Sequence, residues 1–166
     1  MSTAQVIPCS SFTPFTVPKM MKRPIKNKKK ILIVDDDTEM TSMLQEVLRK
    51  QPALEVSVAH DPFEAMNLLT EKVYDLVLLD WHLPKLNGLK TIIETEKLFR
   101  FDPILPLEWD GKKVRVVTFS SDETTSCKFL NTRHFRYMGH VHKKNKLSSI
   151  IEKIGFYLDK TLEAAI

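Results

Sequence analysis

Three carboxylates, a hydroxyl and an amine stand at positions where their chemistry could be pooled. Asp35 and Asp36 directly follow the apolar run Ile31-Leu32-Ile33-Val34, and Asp80 directly follows Leu76-Val77-Leu78-Leu79. The second run is short, and Pro84 and Gly88 lie just beyond it, so it reads as a strand buried on both faces rather than as a helix. A carboxylate at the carboxyl end of such a strand sits where open α/β sheets place their ligands. Ser120 follows a further expected strand, Val114 to Phe119, and Lys143 follows another, Gly139 to His142.

If the first and third strands are neighbours, Asp35, Asp36 and Asp80 converge. Two such charges repel by roughly 4 kcal/mol at a separation of ~4 Å and an effective dielectric of about 20. A hard divalent cation offsets that repulsion, and Mg²⁺ takes one or two carboxylates, waters and a phosphate oxygen. Helix capping by Asp37 or Thr38 explains one acidic strand end, but not Asp80, which precedes any helix by several residues. Lys143 offers a point charge suited to phosphate. A lone lysine or serine would read as surface or turn; the weight lies in four strand ends matching in order.

The elements that position these groups follow from the pattern. Met40, Met43, Leu44, Val47 and Leu48 repeat at helical spacing, and Glu55 to Ala59 forms a short second strand. Asp61-Pro62-Phe63-Glu64 is a helix start, with Asp as cap, Pro at the first position and Glu reaching back. Leu89, Ile92, Ile93 and Leu98 mark a third helix from Gly88 to about Phe99, followed by a long connection from Arg100 to Lys113. A fourth helix is expected from Thr124 to about Tyr137, and a fifth from Leu147 to Leu158. Five strands alternating with five helices predict a doubly wound parallel α/β sheet with right-handed crossovers.

At 166 residues the chain should hold one domain, residues 29–166, behind a disordered basic leader at 1–28. The formal charge of +4 belongs to that leader: residues 1–30 carry seven basic residues and no acid, leaving 18 basic against 21 acidic, a balance of −3. No apolar run approaches the ~20 residues of a membrane span, and no secretory signal precedes the domain. Two cysteines, Cys9 and Cys127, form neither a disulfide framework nor a zinc pattern, which suits a cytoplasmic protein.

Ile31-Leu32-Ile33-Val34-Asp35-Asp36, then Asp75 to Asp80 with Pro84 and Gly88, then Val116-Val117-Thr118-Phe119-Ser120, then Gly139 to Lys143, resemble in order and spacing the receiver domain of two-component response regulators. The resemblance spans about Lys30 to Asp159. It implies a flavodoxin-like (βα)5 fold with strand order 2-1-3-4-5. It implies Asp80 as phosphoacceptor, Asp35, Asp36, Asp80 and the backbone carbonyl of His82 as Mg²⁺ ligands, and Ser120 and Lys143 as contacts of the phosphoryl group. It further implies a histidine kinase or histidine phosphotransfer protein as donor and a target protein read by a changed surface. The expectation is a single-domain, non-enzymatic receiver with no attached DNA-binding domain.

The sequence departs from the family pattern at several points. His140 takes the aromatic position of strand five, Lys144 the usual proline and Ser121 a usual alanine, while His82 and Asp122 lie where the family tunes attack by water. These departures keep open an interaction module that holds the fold without phosphate switching. A haloacid-dehalogenase-type phosphatase also places an aspartate at a strand end, but needs a second one where His82 stands. A transition-metal site from His140, His142 and His134 lacks a cysteine. Nucleotide enzymes are disfavoured by the absence of a Gly-rich phosphate loop; the four glycines are Gly88, Gly111, Gly139 and Gly155.

Overall fold

The structure, a computed structural model, describes residues 28–101, 111–122 and 131–159. The basic leader, the 102–110 stretch of the long connection and the 124–130 part of the expected fourth helix lie outside the described residues. In chain order the elements are β1 (Lys29–Val34), α1 (Thr38–Arg49), β2 (Leu54–Ala59), α2 (Pro62–Glu71), β3 (Leu76–Leu79), α3 (Gly88–Phe101), β4 (Val114–Ser120), β5 (Phe135–His142) and α4 (Leu147–Tyr157). The five strands form one parallel sheet in the order β2-β1-β3-β4-β5, which is the flavodoxin-like topology expected. No helix among the described residues is long and apolar enough to cross a membrane.

Strand alternation divides the core between the two faces of the sheet. Ile31, Ile33, Leu76, Leu78, Val117 and Phe119 meet Leu44 and Leu48 of α1 and Ile150, Ile151 and Ile154 of α4. Leu32, Val34, Val77, Leu79 and Val116 meet Ala65 and Leu69 of α2 and Ile92 and Phe99 of α3. Burial on both faces is why these strands read as unbroken apolar runs rather than alternating ones.

Local signals act as their chemistry predicts. Asp37, not Thr38, caps α1, accepting from the N–H groups of Glu39 and Met40. Asp61 caps α2 through Phe63 and Glu64, and Glu64 reaches back one residue further than a capping box requires, to the His60 N–H at 2.8 Å. Gly88 opens α3 where a side chain would not fit: a Cβ there would lie 2.6 Å from the Asp80 carbonyl oxygen.

Three expectations are corrected. The fourth helix cannot reach Tyr137, because residues from Phe135 onward belong to β5, which is twice the length expected; four helices are found among the described residues. On α3 the buried residues are Thr91, Ile92, Thr95, Glu96 and Phe99, while Ile93 and Leu98 are exposed. The buried threonines satisfy their hydroxyls on carbonyls four residues back, Thr91 on Asn87 and Thr95 on Thr91. Met43 of α1 is likewise exposed.

Candidate functional site

Register places the acids side by side. Val34 pairs with Leu79, so the next residues on those strands, Asp35 and Asp80, are neighbours of equal parity on the α1 and α4 face. The ladder runs on past the strand ends: Asp80 N–H donates to Val34 at 2.8 Å, and Lys143 N–H donates to Ser120 at 2.9 Å. Carboxylate oxygens of Asp35, Asp36 and Asp80 all lie within 4.8 Å of one another. Asp35 is 0% exposed and Asp80 4%, whereas Asp36 faces solvent.

Lys143 reaches into this cluster from the end of β5. Its Nζ donates to Asp35 Oδ1 at 2.9 Å and to Asp80 Oδ2 at 2.7 Å, and it lies 5.7 Å from the centre of the Phe119 ring. Burial pushes the Asp35 carboxyl above its usual pKa of 3.8, and the bonds from Lys143 and the Asp37 N–H offset that only in part. Burial acts to lower the Lys143 ammonium, but its bonds to Asp35 and Asp80 prevail and hold it above 10.5. Asp35 Oδ2 lies 2.8 Å from Lys143 Nζ yet receives no well-directed hydrogen bond, although it is buried. A buried oxygen with spare lone pairs, in a set made of oxygen donors alone, fits a hard divalent cation.

Four of the expected residues, Asp35, Asp36, Asp80 and Lys143, are therefore brought together. Ser120 is buried at the adjoining strand end, but its hydroxyl accepts from the Asp122 N–H at 3.2 Å and makes no bond to the carboxylates. The His82 N–H donates to Asp80 Oδ1 at 3.1 Å, while its imidazole turns outward to Asp122 at 2.5 Å. The His140, His142 and His134 trio is not a metal site. His134 lies at the entry of β5 and bonds Glu96, while His140 and His142 sit at its far end with ring centres 6.2 Å apart. Among the described residues the one cluster of metal-ligating side chains is the acidic one.

The family model described as response regulator receiver domain matches residues 31–155. The chain belongs to that family. The receiver's likeness to curated proteins includes the transcriptional regulatory protein CpxR of Klebsiella pneumoniae, 42% identical over 85 residues, 51% of this chain and 35% of that protein. A protein-glutamate methylesterase/protein-glutamine glutaminase of Thiobacillus denitrificans is 38% identical over 78 residues, 46% of this chain and 21% of that protein. The matched stretch thus spans about a third or less of these relatives. A CheY-like receiver domain protein of Methanospirillum hungatei superposes with a TM-score of 0.58 at 27% identity, covering 80% of this chain and 95% of that one. Receiver domains are signalling modules that bind Mg²⁺ at an acidic pocket, and the Asp35, Asp36 and Asp80 cluster is a pocket of that kind.

Two features of this receiver have bonding that the sequence did not show. The first is a buried network beneath the sheet's opposite end. Glu96 of α3 accepts from the Thr132 hydroxyl at 2.6 Å and from the His134 N–H at 3.2 Å, with His134 Nδ1 at 3.1 Å. The available signal was a glutamate on the inward stripe of α3, three residues before Phe99.

The second feature is His140, whose Nδ1 lies 3.0 Å from Thr118 Oγ1 and whose buried Nε2 has no partner. Burial, then the charges of His142 and Lys153, hold its pKa below 6.5. The unfolded chain therefore takes up this proton first as pH falls. The stability that neutral His140 contributes is present above 6.5 and is lost as pH drops through 6.5 toward the folded value. Urea midpoints measured across that range should fall for the parent, and His140→Phe should flatten that part of the curve.

Lys144, at the family's proline position, stays outside the pocket that Lys143 enters. It is exposed, its N–H bonds His142 Nδ1 at 3.1 Å, and the preceding peptide bond is trans.

Proposed function

We propose that this receiver accepts a phosphoryl group on Asp80 from the phosphohistidine of a histidine kinase or histidine phosphotransfer protein. In this reading it then signals by binding a target protein in a phosphorylation-dependent way. The observation that supports this most directly is Lys143 spanning Asp35 and Asp80 within a nearly buried pocket at the carboxyl edge of the sheet. An Asp80 carboxylate oxygen would attack phosphorus, the phosphorus–nitrogen bond would break, and the donor histidine would leave. A carboxylate oxygen carries no proton to remove, so the attack needs no general base. Much of the barrier is repulsion between anions together with positioning, which fixed positive charge reduces.

Asp35, Asp36, Asp80 and the His82 carbonyl would hold Mg²⁺, which supplies neutralisation of the developing charge on the phosphoryl oxygens. Lys143 would exchange carboxylate contacts for the incoming phosphoryl oxygens. Ser120 would leave the Asp122 N–H to bond the phosphoryl group, and that displacement would alter the β4–β5 surface. With a small phosphodonor and Mg²⁺, intact mass should rise by one phosphate, and Asp80→Asn should abolish the gain. No adduct with any donor would sink the reading.

A second reading has one observation in its favour. The ring of His140 is already bonded to Thr118, so the position where the family moves an aromatic is pinned in the resting protein. A module that binds its partner without phosphate would show unchanged partner affinity in Asp80→Asn and no response to Mg²⁺.

A further inference from the structure

The position of Lys143 depends on a defect in β5. Val116 pairs with Tyr137, but Val117 pairs with Gly139, so Met138 is an extra residue in the ladder. Such a bulge reverses the facing of everything after it. Before it, Phe135 and Tyr137 point to the α2 and α3 face; after it, Val141 packs on the α1 and α4 face. Lys143, two residues on, shares the parity of Val141 and so meets Asp35 and Asp80. Without the bulge the same lysine would point to the opposite face.

The bulge crowds two successive residues, Met138 and Gly139, toward α4, and α4 is fitted to that. A Cβ on Gly139 would lie 2.3 Å from the Tyr157 hydroxyl and 3.1 Å from Tyr157 Cζ, so the tyrosine occupies the space a side chain would need. Gly139 has φ 155°, a conformation that side-chain-bearing residues rarely adopt. Arg115 of β4 fixes the tyrosine from the other side: it donates to the Tyr157 carbonyl at 2.6 Å and pairs with Asp159 at 2.6 Å, closing the last turn of α4. Three elements thus meet at one seat.

We infer that Tyr157, seated on Gly139 and held by Arg115, is a positioning residue for the chemistry at Asp80, because it holds the bulge that directs Lys143 into the pocket. The inference rests on the reading of Asp80 as phosphoacceptor. The test follows the rate of phosphate-adduct formation by intact mass, on the full chain with Mg²⁺ and a small phosphodonor. Tyr157→Ala and Gly139→Ala should each slow the reaction by about tenfold to a hundredfold, the range a misplacement of ~1 Å can produce. Tyr157→Phe keeps the ring on the glycine and should stay within about threefold of the parent. It should also partly restore Gly139→Ala, since the atom nearest the added methyl is the hydroxyl.

The deciding measurement is a double-mutant cycle with Lys143→Met. If Tyr157 acts through Lys143, the double variant Tyr157→Ala with Lys143→Met is no slower than Lys143→Met alone. Losses that multiply, or a Tyr157→Ala protein as fast as the parent, overturn the inference. Should Tyr157→Ala not unfold cooperatively in urea, Gly139→Ala takes its place in the cycle. A parent chain that gains no phosphate defeats the phosphoacceptor reading instead, so the two failures are distinct.

Discussion

Lys143→Met should lower the unfolding free energy by about 3 kcal/mol at pH 7.5 in EDTA, the scale expected when one partner of a buried ion pair is removed. The reason is local. Asp35 is fully buried, Asp80 nearly so, and Lys143 is the one cation that bonds either side chain among the described residues. Without it, carboxylate oxygens within 4.8 Å of one another face each other uncompensated. The deficit should depend on pH in a defined direction. Asp35 already titrates above 3.8 in the folded protein, and losing Lys143 raises it further. A raised carboxylate binds its proton more tightly when folded, so its favourable contribution holds below 3.8 and is lost as pH rises through the folded value. Lys143→Met should therefore approach the parent at acid pH and fall away from it toward neutrality.

Millimolar Mg²⁺ at pH 7.5 should restore much of that loss, because a cation bound only by the folded state stabilises it by mass action. Urea unfolding of parent and variant, in EDTA and in Mg²⁺, gives the four curves required. Equal midpoints for the two proteins in EDTA would mean that Lys143 does not offset repulsion among the acids. No recovery in Mg²⁺ would mean that they do not form a cation site.

The acidic half of the pocket was legible because Asp35 and Asp80 each end a strand buried on both faces. Such a strand announces itself as an apolar run, and the first polar residue after it marks the edge of the sheet. Asp35 and Asp80 were found this way, whereas Lys143, after Gly139-His140-Val141-His142, was placed by its match to the family pattern. The same logic failed in β5. Its first half, Phe135 to Met138, carries Arg136 and Tyr137 and then a bulge, so neither an apolar run nor a clean alternation survives, and the stretch was absorbed into the tail of a helix. The register defect that aims Lys143 lies beside Gly139, which packs against Tyr157 eighteen residues later, a partner that no local pattern reveals. On α3 the error was one of residue type. Thr91, Thr95 and Glu96 face inward because each finds a bonding partner there, while the apolar Ile93 and Leu98 face out. Reading by hydrophobicity selects the wrong stripe when polar groups are satisfied internally.

Glu96 carries the second large effect. Glu96→Leu should cost about 3 kcal/mol or more, because it removes the carboxylate that accepts from the Thr132 hydroxyl and the His134 N–H in a site where Glu96 is 5% exposed and His134 3%. Glu96→Gln keeps an acceptor oxygen and should cost less. Burial alone would raise the Glu96 carboxyl, but the bonds from Thr132 and His134 prevail and hold it below 4.5. A depressed carboxylate contributes stability above its unfolded pKa and loses it as pH falls through the folded one, so this contribution should fade below pH 4.5. Parent and Glu96→Gln should therefore differ most near neutrality and converge in acid. The loss runs in the same direction as the one expected from His140 but in a different window, since the His140 contribution begins to fade near 6.5 and not below 4.5. Thermal unfolding at several pH values separates the two. A gap between parent and Glu96→Gln that stays constant down to pH 3 would show that the charge on Glu96 is not what fastens α3 to the entry of β5.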